Sequence, residues 1–221
     1  MTQPSIEVFQ DLFLRSTTQD KSLIRKLILE AVKEPWRHEP DREKLVRMGG
    51  IHGEDVIAVL RLPFEGIDES ALVLWEEPQG YKVSNIVPRN VGELSIDQYN
   101  AILQDFITKV AQPAARGGVF TIESTAPLQG PQDWMDANAA DSLRRFSGAA
   151  NKSTGASHPL DERRWYQFLI DAHGAAKRAT PDQLARWLVE VEQWPEDTAR
   201  ELAISYEFAL GLLERYDSSR P

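Results

Sequence analysis

Apolar positions along the chain run first at helical spacing, then at strand spacing, then at helical spacing again. Residues 5–15 are ambiguous, since Phe9, Leu12 and Phe13 fit a helix turn whereas Ile6 and Val8 fit a strand. Leu23, Ile24, Leu27, Ile28, Ala31 and Val32 recur as one face of a helix that Pro35 ends. The polar stretch from Trp36 to Lys44 reads as a loop. Val56 to Leu62 is a nearly continuous apolar run between Gly53 and Pro63, the pattern of a central strand. Ala71–Trp75 predicts a second strand, and Tyr81, Val83, Asn85 and Val87 alternate along a third. The connectors Glu65–Ser70 and Glu76–Gly80 are too short for a parallel crossover, so an antiparallel meander is expected.

From Leu94 the helical period returns. Ser95 and Gln98 have the spacing of a capping box, and Ile96, Tyr99, Leu103, Phe106, Ile107 and Val110 form one broad apolar face. Pro113 and Gly117-Gly118 are expected to stop this helix, and Val119–Glu123 to add a fourth strand. The fold class is therefore α+β: an antiparallel sheet of about four strands packed by one or two helices, then a C-terminal helical unit of three to four helices.

The breaker-rich residues 125–136 mark the boundary, with residues 1–128 as an α+β domain and 129–221 as a helical region that can pack on it as one unit. In that region a helix from Asp136 to Ala150 carries Ala139, Leu143 and Phe146. Asp161 can cap a second, with Trp165, Phe168, Leu169 and Ala172 on its face. Thr180-Pro181-Asp182-Gln183 is another capping box, opening a helix with Leu184, Trp187, Leu188 and Val191. Pro195-Glu196-Asp197 starts the last helix, striped by Leu202, Ala203, Tyr206, Leu210 and Leu213. Trp165 and Trp187 share register with leucine and phenylalanine, so both are expected in the core. Trp134 and Trp194 are less committed.

Composition narrows the function classes. None of the 221 residues is cysteine, which removes disulfides, a thiol nucleophile and thiolate metal sites. No apolar run approaches the ~18 residues of a membrane span, and the N-terminus lacks the layout of a signal peptide, so a cytoplasmic protein with no membrane association is expected. The formal charge of −9 is uneven: residues 51–100 hold nine acids against three bases, while residues 1–50 sum to +1. An acidic field disfavours nucleic acid and favours a basic protein partner. The doublets Asp68-Glu69 and Glu76-Glu77 are the candidate partner surface.

Catalytic signatures are sparse. The candidate ligand-binding loop is Asn151, Lys152, Ser153, Thr154 and His158, where an ammonium and hydroxyls could hold an anion and an imidazole could act as acid or base. It is not a P-loop, and side-chain capping of turns explains the same residue types without a ligand. His38, His52 and His173 show no metal spacing, no metal site is assigned, and no dinucleotide fingerprint or nucleophile elbow occurs, so no cofactor is called for. Adjacent acids such as Glu54-Asp55 on a strand point to opposite faces and make a poor dyad.

Two functions follow. The first is a non-enzymatic binding or regulatory protein docking a macromolecular partner, as an immunity- or antitoxin-like inhibitor or an accessory subunit does. The alternative is an enzyme acting on a small anionic or phosphate-bearing substrate through the Asn151–His158 loop.

Overall fold

The chain is α+β in a computed structural model that describes residues 4–18, 20–49, 55–90 and 92–219. In chain order its elements are β1 (Ile6–Glu7), β2 (Leu12–Ser16), α1 (Ser22–Ala31), β3 (Trp36–His38), α2 (Pro40–Gly49), β4 (Val56–Arg61), β5 (Ser70–Glu77) and β6 (Gly80–Pro88). Then come α3 (Ile96–Phe106), a π turn (Ile107–Ala111), α4 (Gln112–Ala115), β7 (Phe120–Ser124) and β8 (Leu128–Gln129). The last helices are α5 (Pro131–Trp134), α6 (Ala137–Ala149), α7 (Pro159–His173), α8 (Pro181–Glu190) and α9 (Glu196–Ser218). Two compact units result: Val8–Pro127 forms one, and the β1 segment joins Leu128 onward in the other.

In the first unit six antiparallel strands lie in the order β3-β4-β5-β6-β2-β7. The expected meander is β4-β5-β6, and β2 inserts between β6 and β7. One sheet face sends Leu12, Leu14, Ile57, Val59, Leu72 and Leu74 against α1 and α3, which contribute Ile24, Ile28, Ile102, Leu103 and Phe106. The opposite face sends Val56, Ala58 and Val73 against Val46 of α2. Strand β4 is thus buried on both faces, which is why its sequence is a continuous apolar run rather than an alternating one.

Three local expectations change. Residues 12–16 become a strand because Leu12 and Leu14 alternate with Phe13 and Arg15 across the sheet. The expected loop at Trp36–Lys44 holds the edge strand β3 and the start of α2. No apolar period announces α2, because the residue it buries is Glu43, 4 % exposed, while Leu45 and Met48 face outward. Nor does Pro113 end the preceding helix. The π turn, in which Gln112 N–H donates to the Ile107 carbonyl, carries the chain through to Ala115.

The second unit is helical apart from the short β1–β8 pair. Its centre is a chain of aromatic contacts: Phe146 to Trp165 at 4.9 Å, Trp165 to Phe168 at 5.1 Å, and Phe168 to Tyr206 at 5.6 Å between ring centroids. Trp194 stacks on Phe146 at 5.4 Å, and Trp187 is equally buried. Two of these indole N–H groups find partners in the core: Trp194 Nε1 donates to Ser147 Oγ (2.7 Å) and Trp165 Nε1 to Ser205 Oγ (3.2 Å). Both predicted capping boxes form, Ser95 with Gln98 and Thr180 with Gln183.

Among the described glycines, the one with least room for a side chain is at the β5–β6 turn. Gly80 has φ of +147°, and a Cβ there would lie 1.9 Å from the Leu14 carbonyl oxygen of the neighbouring strand. A backbone oxygen cannot rotate away as a side chain can. Gly80→Ala is therefore expected to lower stability by about 3 kcal/mol or more. Gly66→Ala, at φ of +78° with nothing within 4 Å, is expected to lose only about 1 kcal/mol. Urea titrations of the two variants check the difference.

Candidate functional site

The loop between α6 and α7 is built by its own polar side chains. Asn151 Oδ1 accepts from Ser153 N (3.0 Å) and Ser153 Oγ (2.8 Å), and Ser157 Oγ donates to the Thr154 carbonyl (2.7 Å). Thr154 Oγ1 reaches the Asn151 carbonyl at 3.4 Å. Lys152 turns to the α8–α9 junction, where Nζ donates to the Glu192 carbonyl and lies 3.8 Å from that residue's carboxylate. His158, rather than Asp161, is the N-cap of α7: its Nδ1 accepts from Leu160 N (3.3 Å), with Pro159 at the first helical position. Asp161 lies one turn further in, buried, and accepts from Asn151 N (3.3 Å) and Arg164 (2.7 Å). A groove of about 720 Å³ runs past Asn151, His158, Leu160 and Arg164. The structure brings Asn151, Ser153 and Thr154 together in one turn, but it sends Lys152 away toward Glu192.

The acidic doublets are not one surface. Asp68-Glu69 precede β5 and Glu76-Glu77 end it, so seven residues of extended chain separate them by about 24 Å. Glu69 pairs with Arg37 (3.2 Å) and Arg89 (2.5 Å), and Glu77 with Arg15 (3.2 Å). Glu76 meets Lys21 (2.5 Å) and accepts from Asp55 N (3.0 Å). The hydrogen bond from Lys21, reinforced by Asp55 N–H, holds the Glu76 carboxyl below the usual carboxylate range. Asp68 contributes its carbonyl to Ser70 Oγ (2.8 Å).

Two charge clusters escape sequence reasoning. In the first, Glu43 accepts from Arg25 Nη2 (2.6 Å) and Ala58 N (3.1 Å), and sits 2.7 Å from His38 Nε2. Asp55 alongside takes Arg25 (3.2 Å), Arg47 (2.5 Å) and Tyr81 OH (2.8 Å). This cluster pins α1 and α2 to the sheet. In the second, Asp105 of α3 accepts from Arg61 Nε (2.6 Å) and Trp36 Nε1 (2.8 Å) and pairs with Lys109 (2.7 Å). Each carboxylate in the two clusters accepts from several protein donors, which ties the surrounding elements together. His52 and Glu54 lie outside the described residues, and His173 bonds Asp217 at 2.7 Å. Among the described residues no three His, Asp or Glu side chains are grouped to hold a metal ion.

Among the described residues of the helical unit, the most exposed large apolar side chain, Phe208, lies on α9. Ile204, Phe208, Leu212 and Tyr216 recur every fourth residue and are between 50 and 71 % exposed. The opposite side of the helix buries Ala199, Leu202, Ala203 and Tyr206. Apolar residues on both sides of one helix are the sequence signal that could have revealed this face. Comparison with family models, curated proteins and solved structures yields no match to this chain.

Two outcomes follow. Burial pushes the Asp105 carboxyl up, but hydrogen bonds from Lys109, Arg61 and Trp36 outweigh it and hold the group below its ordinary value. A folded-state pKa below the unfolded one gives stability that is present above the unfolded pKa and lost as pH falls through the folded value. Asp105→Asn should cost about 3 kcal/mol at neutral pH and flatten the loss of stability below about pH 4, measured by denaturation across pH. Lys152→Ala and His158→Ala should each lose about 1 kcal/mol of stability, because both side chains satisfy backbone groups.

Proposed function

We propose that this is a non-enzymatic binding or regulatory protein that docks another protein, in the manner of an immunity- or antitoxin-like inhibitor or an accessory subunit. The observation that carries the reading is the outer face of α9, where Ile204, Phe208 and Leu212 stand exposed in line. Apolar residues aligned on one exposed face mark an interaction site more often than singly scattered ones do. Burying each of these side chains would contribute about 1.5–3 kcal/mol, a useful offset to the cost of association. The helix is a firm platform, since Tyr206 OH donates to the Ala179 carbonyl (3.0 Å) and Asp217 holds His173. The acids paired with Arg15, Lys21, Arg37 and Arg89 leave less free negative charge for a basic partner than the sequence implies.

The alternative, an enzyme for a small anionic substrate, draws support from the groove beside His158 and Arg164. It is the weaker reading, because Lys152 is committed to Glu192.

A photo-reactive phenylalanine analogue in place of Phe208, expressed in the cells of origin, tests the docking reading. The expected result is a discrete protein adduct that Leu212→Arg abolishes. Absence of any protein adduct, or adducts indifferent to Leu212→Arg, would contradict it.

A further inference from the structure

The outer face of α9 is complementary to itself. On a helix that turns about 100° per residue, Glu201, Ile204, Leu212 and Arg215 all project within about 40° of Phe208. All five residues are exposed. Their spacing is symmetric: Ile204 and Leu212 lie four residues either side of Phe208, and Glu201 and Arg215 lie seven. Glu201 and Arg215 make no ion pair within the chain among the described residues, although the neighbouring Arg200 pairs with Glu196 and Glu214 with Arg178.

Resting on the docking reading of this face, we infer that its partner is a second copy of this chain, packed antiparallel across a two-fold axis through Phe208. In that arrangement Phe208 meets Phe208, Ile204 of each copy meets Leu212 of the other, and Glu201 of each meets Arg215 of the other at both ends. A parallel pairing in register would instead set Glu201 against Glu201 and Arg215 against Arg215, so the charges select the antiparallel form. The helix dipoles favour the same choice. Gly211 gives the pairing a close approach. It is an exposed glycine within a 23-residue helix, with nothing within 4 Å of the place a Cβ would occupy, and it falls opposite Ser205 of the second copy. A mid-helix glycine is intrinsically unfavourable, so a packing role accounts for its position.

Sedimentation velocity of the purified full chain over a range of concentrations tests the inference. A concentration-dependent dimer is expected. Glu201→Arg should raise its dissociation constant about tenfold or more, since it replaces two attractions with two repulsions. The double variant Glu201→Arg/Arg215→Glu should return it to within about threefold of the original, since the exchanged charges pair again. The chain has no cysteine, so single thiols report the register cleanly. A short bis-maleimide should link Phe208→Cys to itself, and should link Ile204→Cys to Leu212→Cys in a mixture.

A chain that stays monomeric, or a dimer that ignores Glu201→Arg or is not rescued by the double variant, overturns the inference. If the purified chain is monomeric while the photo-reactive residue at Phe208 captures a different protein in cells, the second copy is wrong and the docking reading stands. If neither dimer nor adduct forms, both fail.

Discussion

The stack of Phe168 on Tyr206 sets the rotation of α9, and the reading of this protein depends on that rotation. The rings lie 5.6 Å apart and nearly parallel, and Tyr206 is anchored again through its hydroxyl at the Ala179 carbonyl. The stack continues the contacts of Phe146 and Trp165, so the inward side of α9 is set by the largest side chains in the unit. Once Tyr206 points inward, Phe208 two residues on must point out, because two residues turn a helix by about 200°. Rotating the helix to bury Phe208 would expose Tyr206 and leave a gap beside Phe168. The outer apolar line is thus a consequence of a well-packed interior.

The Val8–Pro127 unit adds clusters of paired charge to its apolar core. Glu43, Asp55 and Asp105 each gather donors from several elements and bind α1, α2 and α3 to the sheet. Such groups are costly to bury alone and stable when every lone pair is met, which makes the clusters sensitive to loss of any one member. The acidic character of residues 51–100 is answered in space by Arg15, Lys21, Arg25, Arg37 and Arg47 of the first fifty residues. A window of sequence measures charge along the chain, whereas partners respond to charge in space.

Much of the architecture was legible in the sequence because local and tertiary preferences agree there. The meander shows in Val56–Leu62, Ala71–Trp75 and Tyr81–Val87, and the capping boxes at Ser95 and Thr180 form as written. The β3–α2 segment was hidden because its buried anchor is a glutamate, and hydrophobic periodicity cannot register a buried charge. At the 151–158 loop the residue types were legible but their use was not. Asn, Ser and Thr serve a turn or a ligand equally well until the hydrogen bonds are seen. The face on α9 was obscured for a different reason: Leu210 and Leu213 extend the inner stripe, while Phe208 and Leu212 mark the outer one, and a single period cannot separate them.

If the outer face of α9 is an interaction surface, its amides are shielded when the partner is bound. Hydrogen exchange of the α9 amides between Glu201 and Arg215, compared in dilute and concentrated protein, measures that shielding most directly. Protection that rises with concentration along this stretch, and not along α6, is the predicted result. Equal protection at both concentrations, in the purified protein and again in extract of its own cells, would contradict the claim.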